Sequence, residues 1–327
     1  MELRLLPLIS SATEMVHALG LGRFQVGRSH ECDYPPEVSH LPVCTWPNIA
    51  VNGSSAEIDR LVKERAAAAA SIYEVDTQLI RELRPTHIFT QMQCKVCAVS
   101  LDDVERAMRA GLGTDVRVVS LEPYALDDLW RDIRRVAKAC GHAADGESLV
   151  AVLKQKMAVI AGRAASARTR PRVAALEWIE PLMAAGNWVP ELIEMAGGAN
   201  LFGVAGEHAP WMTWEQLVAA DPDAIVALPC GFGLERSAND ARLLANRPGW
   251  KDLKAVRAGS VYACDGNQFL NRPGPRLVES LQILAEILHP EIFEPQWEKS
   301  GWVRIYRDAG KQVDRRDGDC GGRVLGG

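Results

Sequence analysis

Short apolar runs alternate with amphipathic stretches along almost the whole chain. Residues 3–9 make an apolar run of strand length, and Ser11 and Glu14 then read as a capping box opening a helix that Gly20 and Gly22 stop. Residues 24–27 give a second short strand, which delivers the chain into Ser29-His30-Glu31-Cys32-Asp33-Tyr34-Pro35-Pro36. Strand, helix, strand is the opening of a parallel α/β unit. Residues 42–47 are extended, Asn52-Gly53-Ser54-Ser55 breaks the chain, and helical sequence follows over 56–70 and 75–83 until Pro85 ends it. A helix capped at Ser100 and a β-branched strand over 116–121 complete a first lobe.

Residues 126–139 and 147–167 are long, Ala-rich and charged on one face, which predicts a bridging helical segment instead of a flexible linker. A second lobe opens at Pro171, with strands over 172–178, 224–228 and 260–264 and helices over 188–195, 214–220, 238–245 and 275–288. The two halves echo each other: Glu82-Leu83-Arg84-Pro85 and Ala219-Ala220-Asp221-Pro222 each read as a helix end and a proline turn before a buried strand. The pattern decays after His289-Pro290, and 315–327 predicts a disordered, Gly-rich tail. The expected fold class is α/β, with two doubly wound lobes bridged by a long helix. Its parts are an N-terminal lobe at 1–124, a bridge at 125–168, a C-terminal lobe at 169–290 and a partly disordered tail at 291–327.

A length of 327 residues at 47% hydrophobic suits two cores. The net charge of −5, with no basic patch interleaved with aromatics, excludes a nucleic-acid surface. The first ten residues have no basic region and no small-residue cleavage site, no apolar run is long enough to span a bilayer, and no Cys stands near the start. A cytoplasmic protein without membrane insertion is the expectation, or a periplasmic one if the true start lies upstream. The eight Cys are then expected to be reduced.

In an open parallel sheet ligands bind beyond the carboxyl ends of the strands. The loops at 29–36, 90–97, 185–188, 229–232 and 264–276 all hold that place in the linear order, so facing lobes would line one cleft with them. Cys94-Lys95-Val96-Cys97 has the spacing of a zinc or redox pair, and His30, Cys32, Cys44, Cys230 and Cys264 are candidates to complete a Zn or Fe site. The alternative is that these are small buried residues at strand ends. Trp46, Trp188, Trp211 and Phe269 supply flat apolar surface for a large planar ligand, or else ordinary core, and Asn187 beside Trp188 suits a contact loop. Phe232 ends the fourth loop. Arg272 and Arg276 flank a helix start and can clamp an amide, carboxylate or phosphate, or form surface ion pairs. No serine triad, P-loop or GxGxxG is present, so no catalytic residue is assigned and no cofactor is obligatory.

Leu8-Ile9-Ser10-Ser11-Ala12-Thr13-Glu14, the Asp-Tyr-Pro-Pro of 33–36, Trp46, Arg84-Pro85, Gly197-Gly198-Ala199-Asn200-Leu201-Phe202 and Trp214-Glu215-Gln216-Leu217 together resemble the periplasmic-binding-protein-like family for iron complexes and cobalamin, closest to its cobalamin-binding members. The resemblance covers residues 3–288 and implies a class III solute-binding fold, with one long helix joining the lobes and the ligand between them. It implies corrin contacts from Tyr34, Trp46 and the loops at Trp188 and Phe269, no enzymatic activity, and an ABC permease as partner. Glu215 resembles one of the family's two docking carboxylates; the other position aligns with Gln78, near Asp76. The chain departs from the family in a further helical segment at roughly 52–74 and in its cleft Cys and His. The expected function is corrinoid binding, as a carrier or importer component. A metal- or thiol-dependent cytoplasmic protein or enzyme built on the cleft cysteines is the second reading.

Overall fold

The computed structural model describes residues 2–68, 70–92 and 116–305. In the first lobe β1 (Leu5–Pro7), β4 (His87–Gln91) and β5 (Arg117–Leu121) form a parallel sheet in the order β1-β4-β5, with Leu5 opposite His87 and Phe89 opposite Val119. Its helices are α1 (Ser10–Ala18), α2 (Ser55–Ala67) and α3 (Thr77–Leu83), and a small antiparallel pair, β2 (Thr45–Pro47) with β3 (Tyr73–Val75), stands beside it. The connection between the lobes is α4 (Leu126–Ala139) and the 22-residue α5 (Ala143–Ala164).

The second lobe has β6 (Arg172–Trp178), β7 (Met183–Ala184), β8 (Ala199–Asn200), β9 (Ala224–Ala227), β10 (Val261–Cys264) and β11 (Trp302–Arg304). Its order is β11-β10-β9-β6-β7, parallel from β10 through β6, with β8 also on β6 and β11 added antiparallel at the edge. The helices are α6 (Val189–Met195), α7 (Trp214–Ala220), α8 (Leu234–Ala241), α9 (Lys254–Arg257) and α10 (Leu277–Leu288).

Strands β1 and β9 are apolar and buried throughout because both sheet faces are covered there. In β1, Leu5 faces a core shared with α1, α4 and α5, while Leu6 faces a second cluster with Ile80 and Ile88. In β9, Val226 joins the first core, and Ile225 and Ala227 join a third with Leu217 and Trp250. The shared core is continuous from Phe89 through Ile133, Leu153 and Met157 to Leu281 and Val226. The long helix is therefore packed into both lobes.

The sequence echo is structural: Arg84 and Asp221 are left-handed caps, at φ 44° and 41°, of α3 and α7, and each precedes the proline that turns the chain into a central strand. A residue before proline is disfavoured in the right-handed helical region, which ends both helices there.

Four expectations are corrected. Residues 24–27 hold only the end of a 3-10 turn, Gly22–Phe24, and one bridge, Leu5 to Gln25, instead of a strand. Residues 73–75 are strand β3, so the helix expected from 75 begins at Thr77, capped by Asp76. Ser11 lies inside α1, its buried Oγ without a partner among the described residues, and Glu14 leaves the capping role for an ion pair across the lobes. The tail assigned from 291 is in part ordered lobe: Phe293 and Trp302 are buried, and β11 extends the sheet. The helix expected at 100–110 and residues 306–327 lie outside the described residues.

Candidate functional site

Strand β4 ends at Gln91 and β6 carries Glu177 one residue before its end. These two side chains, with Asn187, His208, Cys230 and Asn271, line a cavity of about 50 Å³. It lies between the lobes at the carboxyl ends of their strands, where helix N-termini and loops converge. Gly186 forms part of the wall because a Cβ there would come within 2.5 Å of the Ala209 main-chain nitrogen. A wider hollow of about 370 Å³, lined by His17, Arg23, Glu37 and His40, belongs to the first lobe alone.

On the first-lobe side, His30 Nδ1 lies 2.8 Å from Thr45 Oγ1, and the His30 ring is tilted against Tyr73 with centroids 5.4 Å apart. Burial brings its pKa down to about 4, so the imidazole is neutral near pH 7. Tyr34 and Trp46 are exposed. The Arg276 guanidinium sits 3.8 Å from the Tyr34 ring centroid, and Trp46 Nε1 donates to Glu74 at 2.9 Å.

Facing them, Asn187 holds φ 54° and donates its main-chain N–H to Glu207 O at 2.6 Å, which fixes the strand-to-helix turn. Trp188, Phe232 and Phe269 are buried. Trp188 lines the cavity but spends its Nε1 on Leu270 O at 2.8 Å, Phe232 lies between Trp178 and Arg236, and Phe269 sits edge-on to Trp297. These rings are buried, while Tyr34, Trp46 and Trp211 carry exposed faces.

Arg272 is not free to clamp a ligand in this state. It donates to Asp33 at 2.6 Å, to Glu14 at 3.2 Å and to Asn267 at 3.3 Å, and Arg276 donates to the same Glu14 oxygen at 2.6 Å. Glu14 and Asp33 belong to the first lobe, Asn267 and both arginines to the second, so a buried ionic cluster ties the lobes. Burial alone would lower the Arg272 pKa, but Asp33 and Glu14 raise it. Against burial, the Arg272 guanidinium holds the Asp33 carboxyl below its ordinary range.

Among the described residues the metal set read from the sequence is not assembled. Cys32 is fully buried, accepts from Thr13 Oγ1 at 3.0 Å, and burial pushes its thiol up to about 12. Cys44 and Cys264 are core residues. Cys230 is half-buried in the cavity wall, and Cys94 and Cys97 lie outside the described residues. Among the described residues no three His, Cys, Asp or Glu side chains come together as a metal site. Sequence reading missed Glu177 and His208. The signal for Glu177 was a charged residue near the end of an otherwise apolar strand.

Glu215 is exposed in the first turn of α7, whose Thr213 and Gln216 form a capping box. On the other lobe Asp76 accepts from Leu79 N–H at 2.8 Å as the cap of α3, and Gln78 donates to Glu82 at 3.2 Å.

The sequence model of the family described as "Periplasmic binding protein" matches residues 8–268. The chain is 23% identical, over 89% of its length and 81% of the relative's, to an uncharacterised ABC transporter substrate-binding lipoprotein, YvrC, of Bacillus subtilis. It is 21% identical, over 88% of both chains, to the vitamin B12-binding protein of Photorhabdus laumondii. Among solved structures, the apo form of the periplasmic heme-binding protein RhuT from Roseiflexus sp. RS-1 superimposes with a TM-score of 0.67, at 25% identity, covering 89% of this chain and 99% of that one. These relatives are substrate-binding proteins and not enzymes. A lipoprotein and a periplasmic protein among them overturn the expectation of a cytoplasmic location and point outside the cytoplasm. No helix among the described residues is long and apolar enough to cross a membrane. Family model, fold and interlobe cavity agree, and the chain belongs to the periplasmic binding protein family.

Proposed function

We propose that the protein binds cobalamin or a related corrinoid between its lobes and presents it to the permease of an ABC importer. The observation that carries this reading is the similarity to a vitamin B12-binding protein over 88% of both chains. The exposed rings of Tyr34 and Trp46 support it, since a large planar macrocycle gains most from flat aromatic faces. No covalent step is involved: burial of the ring system and a few polar contacts suffice for affinity. The cavity of about 50 Å³ is far below the roughly 300–1,000 Å³ of small-molecule sites, so loading requires the loops at its rim to move while the lobes stay joined. By resemblance, exposed Glu215 is one docking point for the permease, and the first-lobe position falls at Gln78, near Asp76.

Haem is the second reading, favoured by the likeness to the Roseiflexus protein. Isothermal titration with cyanocobalamin, hydroxocobalamin and haemin separates the two. One-to-one binding of either corrinoid, at least tenfold tighter than haemin, is the expected result; saturable binding of haemin alone moves the assignment to haem.

A further inference from the structure

Helix α2 is an excursion from the first lobe, which it touches through half-buried Val62 and through Arg65, whose Nη2 donates to Asn48 O at 2.7 Å. Strands β2 and β3 are antiparallel neighbours, with Pro47 opposite Tyr73 and Asn48 N–H donating to Ile72 O at 2.7 Å, so residues 49–71 leave and return one hydrogen bond apart. The helix supports itself with a Ser54–Glu57 capping box and the ion pairs Asp59–Lys63 and Arg60–Glu64. Its one buried residue is Ser55, and Ser55 is buried against the opposite lobe.

Three sets of contacts make that crossing. Ser55 Oγ donates to Asp240 Oδ1 at 3.2 Å, and Ser55 O accepts from Trp178 Nε1 at 3.2 Å. Gly53 O accepts from Arg236 Nη2 at 2.5 Å, and that guanidinium lies 3.6 Å from the Phe232 centroid. Lys63 Nζ stands 5.2 Å from the centroid of exposed Trp211. Each anchor follows a cavity-lining residue within a few positions: Trp178 follows Glu177, Phe232 follows Cys230, and Trp211 follows His208. The helix thus bridges from the first lobe to segments of the second lobe that also supply cavity-lining residues.

We propose that α2 is a strap across the interlobe cleft, held to the second lobe by Ser55–Asp240, Gly53–Arg236 and Lys63–Trp211, which undocks to admit ligand and redocks to retain it. The contacts are few, polar and partly exposed, the character of a segment that opens locally at low cost. Parting the lobes would instead break the continuous core along the long helix. This inference rests on the reading that the ligand enters the interlobe cleft.

Two variants test it: Arg236→Ala combined with Asp240→Ala, and a chain in which residues 49–71 are replaced by a four-residue Gly-rich turn closing the β2–β3 hairpin. Hydrogen exchange without ligand should show the amides of 55–63 exchanging at least tenfold faster in the double variant; unchanged exchange overturns the strap. Stopped-flow mixing with cyanocobalamin, and with haemin, should show association and dissociation both at least fivefold faster in the shortened chain. Equal rates in the shortened and full-length proteins overturn gating. If neither chain binds either tetrapyrrole, the ligand reading fails, and hydrogen exchange alone decides whether α2 is a docked and releasable strap.

Discussion

His30 shows how burial at one residue becomes a pH dependence of the whole molecule. Its ring is held by Thr45 and Tyr73, and its pKa is depressed from 6.5 to about 4, first by desolvation and secondarily by Arg28. As pH falls through 6.5 the unfolded chain takes up a proton that the folded one refuses until about pH 4, so stability present above 6.5 is lost across that window. Allowing for the partial exposure of the ring, the loss is roughly 1–2 kcal/mol. Asp132, raised to about 6 by burial, and Asp240, Asp265 and Glu279, also raised by burial, act in the opposite sense. The expected result is a signed difference: from pH 7 to pH 5 the urea midpoint of His30→Gln should fall less, or rise more, than that of the parent chain. The sequence showed His30 and Cys32 as a pair capable of holding metal. It could not show that Cys32 turns to Thr13 and the strand below, because residue spacing carries no information about which way a loop faces.

At the scale of elements, most helices and strands were legible from period and punctuation, and β6 was read to the residue. What failed depended on long-range partners. Glu14 stands three residues after Ser11, the spacing of a cap, yet it satisfies two arginines more than 250 positions away. Strand β11 is three residues long and exists because the edge of β10 is there to receive it. Of the site residues, all read as contact rings, Tyr34 and Trp46 are exposed, whereas Trp188, Phe232 and Phe269 look alike in sequence and are buried. The ionic cluster between α1, the 29–36 loop and the start of α10 yields the element-scale prediction. Arg272→Met leaves Glu14 buried with Arg276 alone and strips Asp33 of its main partner, so the variant should lose about 3 kcal/mol in urea unfolding. A loss under about 0.5 kcal/mol would mean that the cluster contributes little beyond packing.

On the scale of the whole molecule, two sheets and one continuous core make the lobes thermodynamically a unit. Ile133, Val150, Leu153 and Met157 in the connecting helices touch the same cluster that contains Leu5 of the first sheet and Val226 of the second. The parent chain should therefore unfold in one calorimetric transition, with calorimetric and van 't Hoff enthalpies equal. Two separated transitions would show lobes that melt independently. The same fusion bears on how such a protein is read by another. Lobes welded along a buried seam present nearly one outline whether loaded or empty, and a partner sensing occupancy has no swing of a jaw to detect. The message has to be written locally, at the rim.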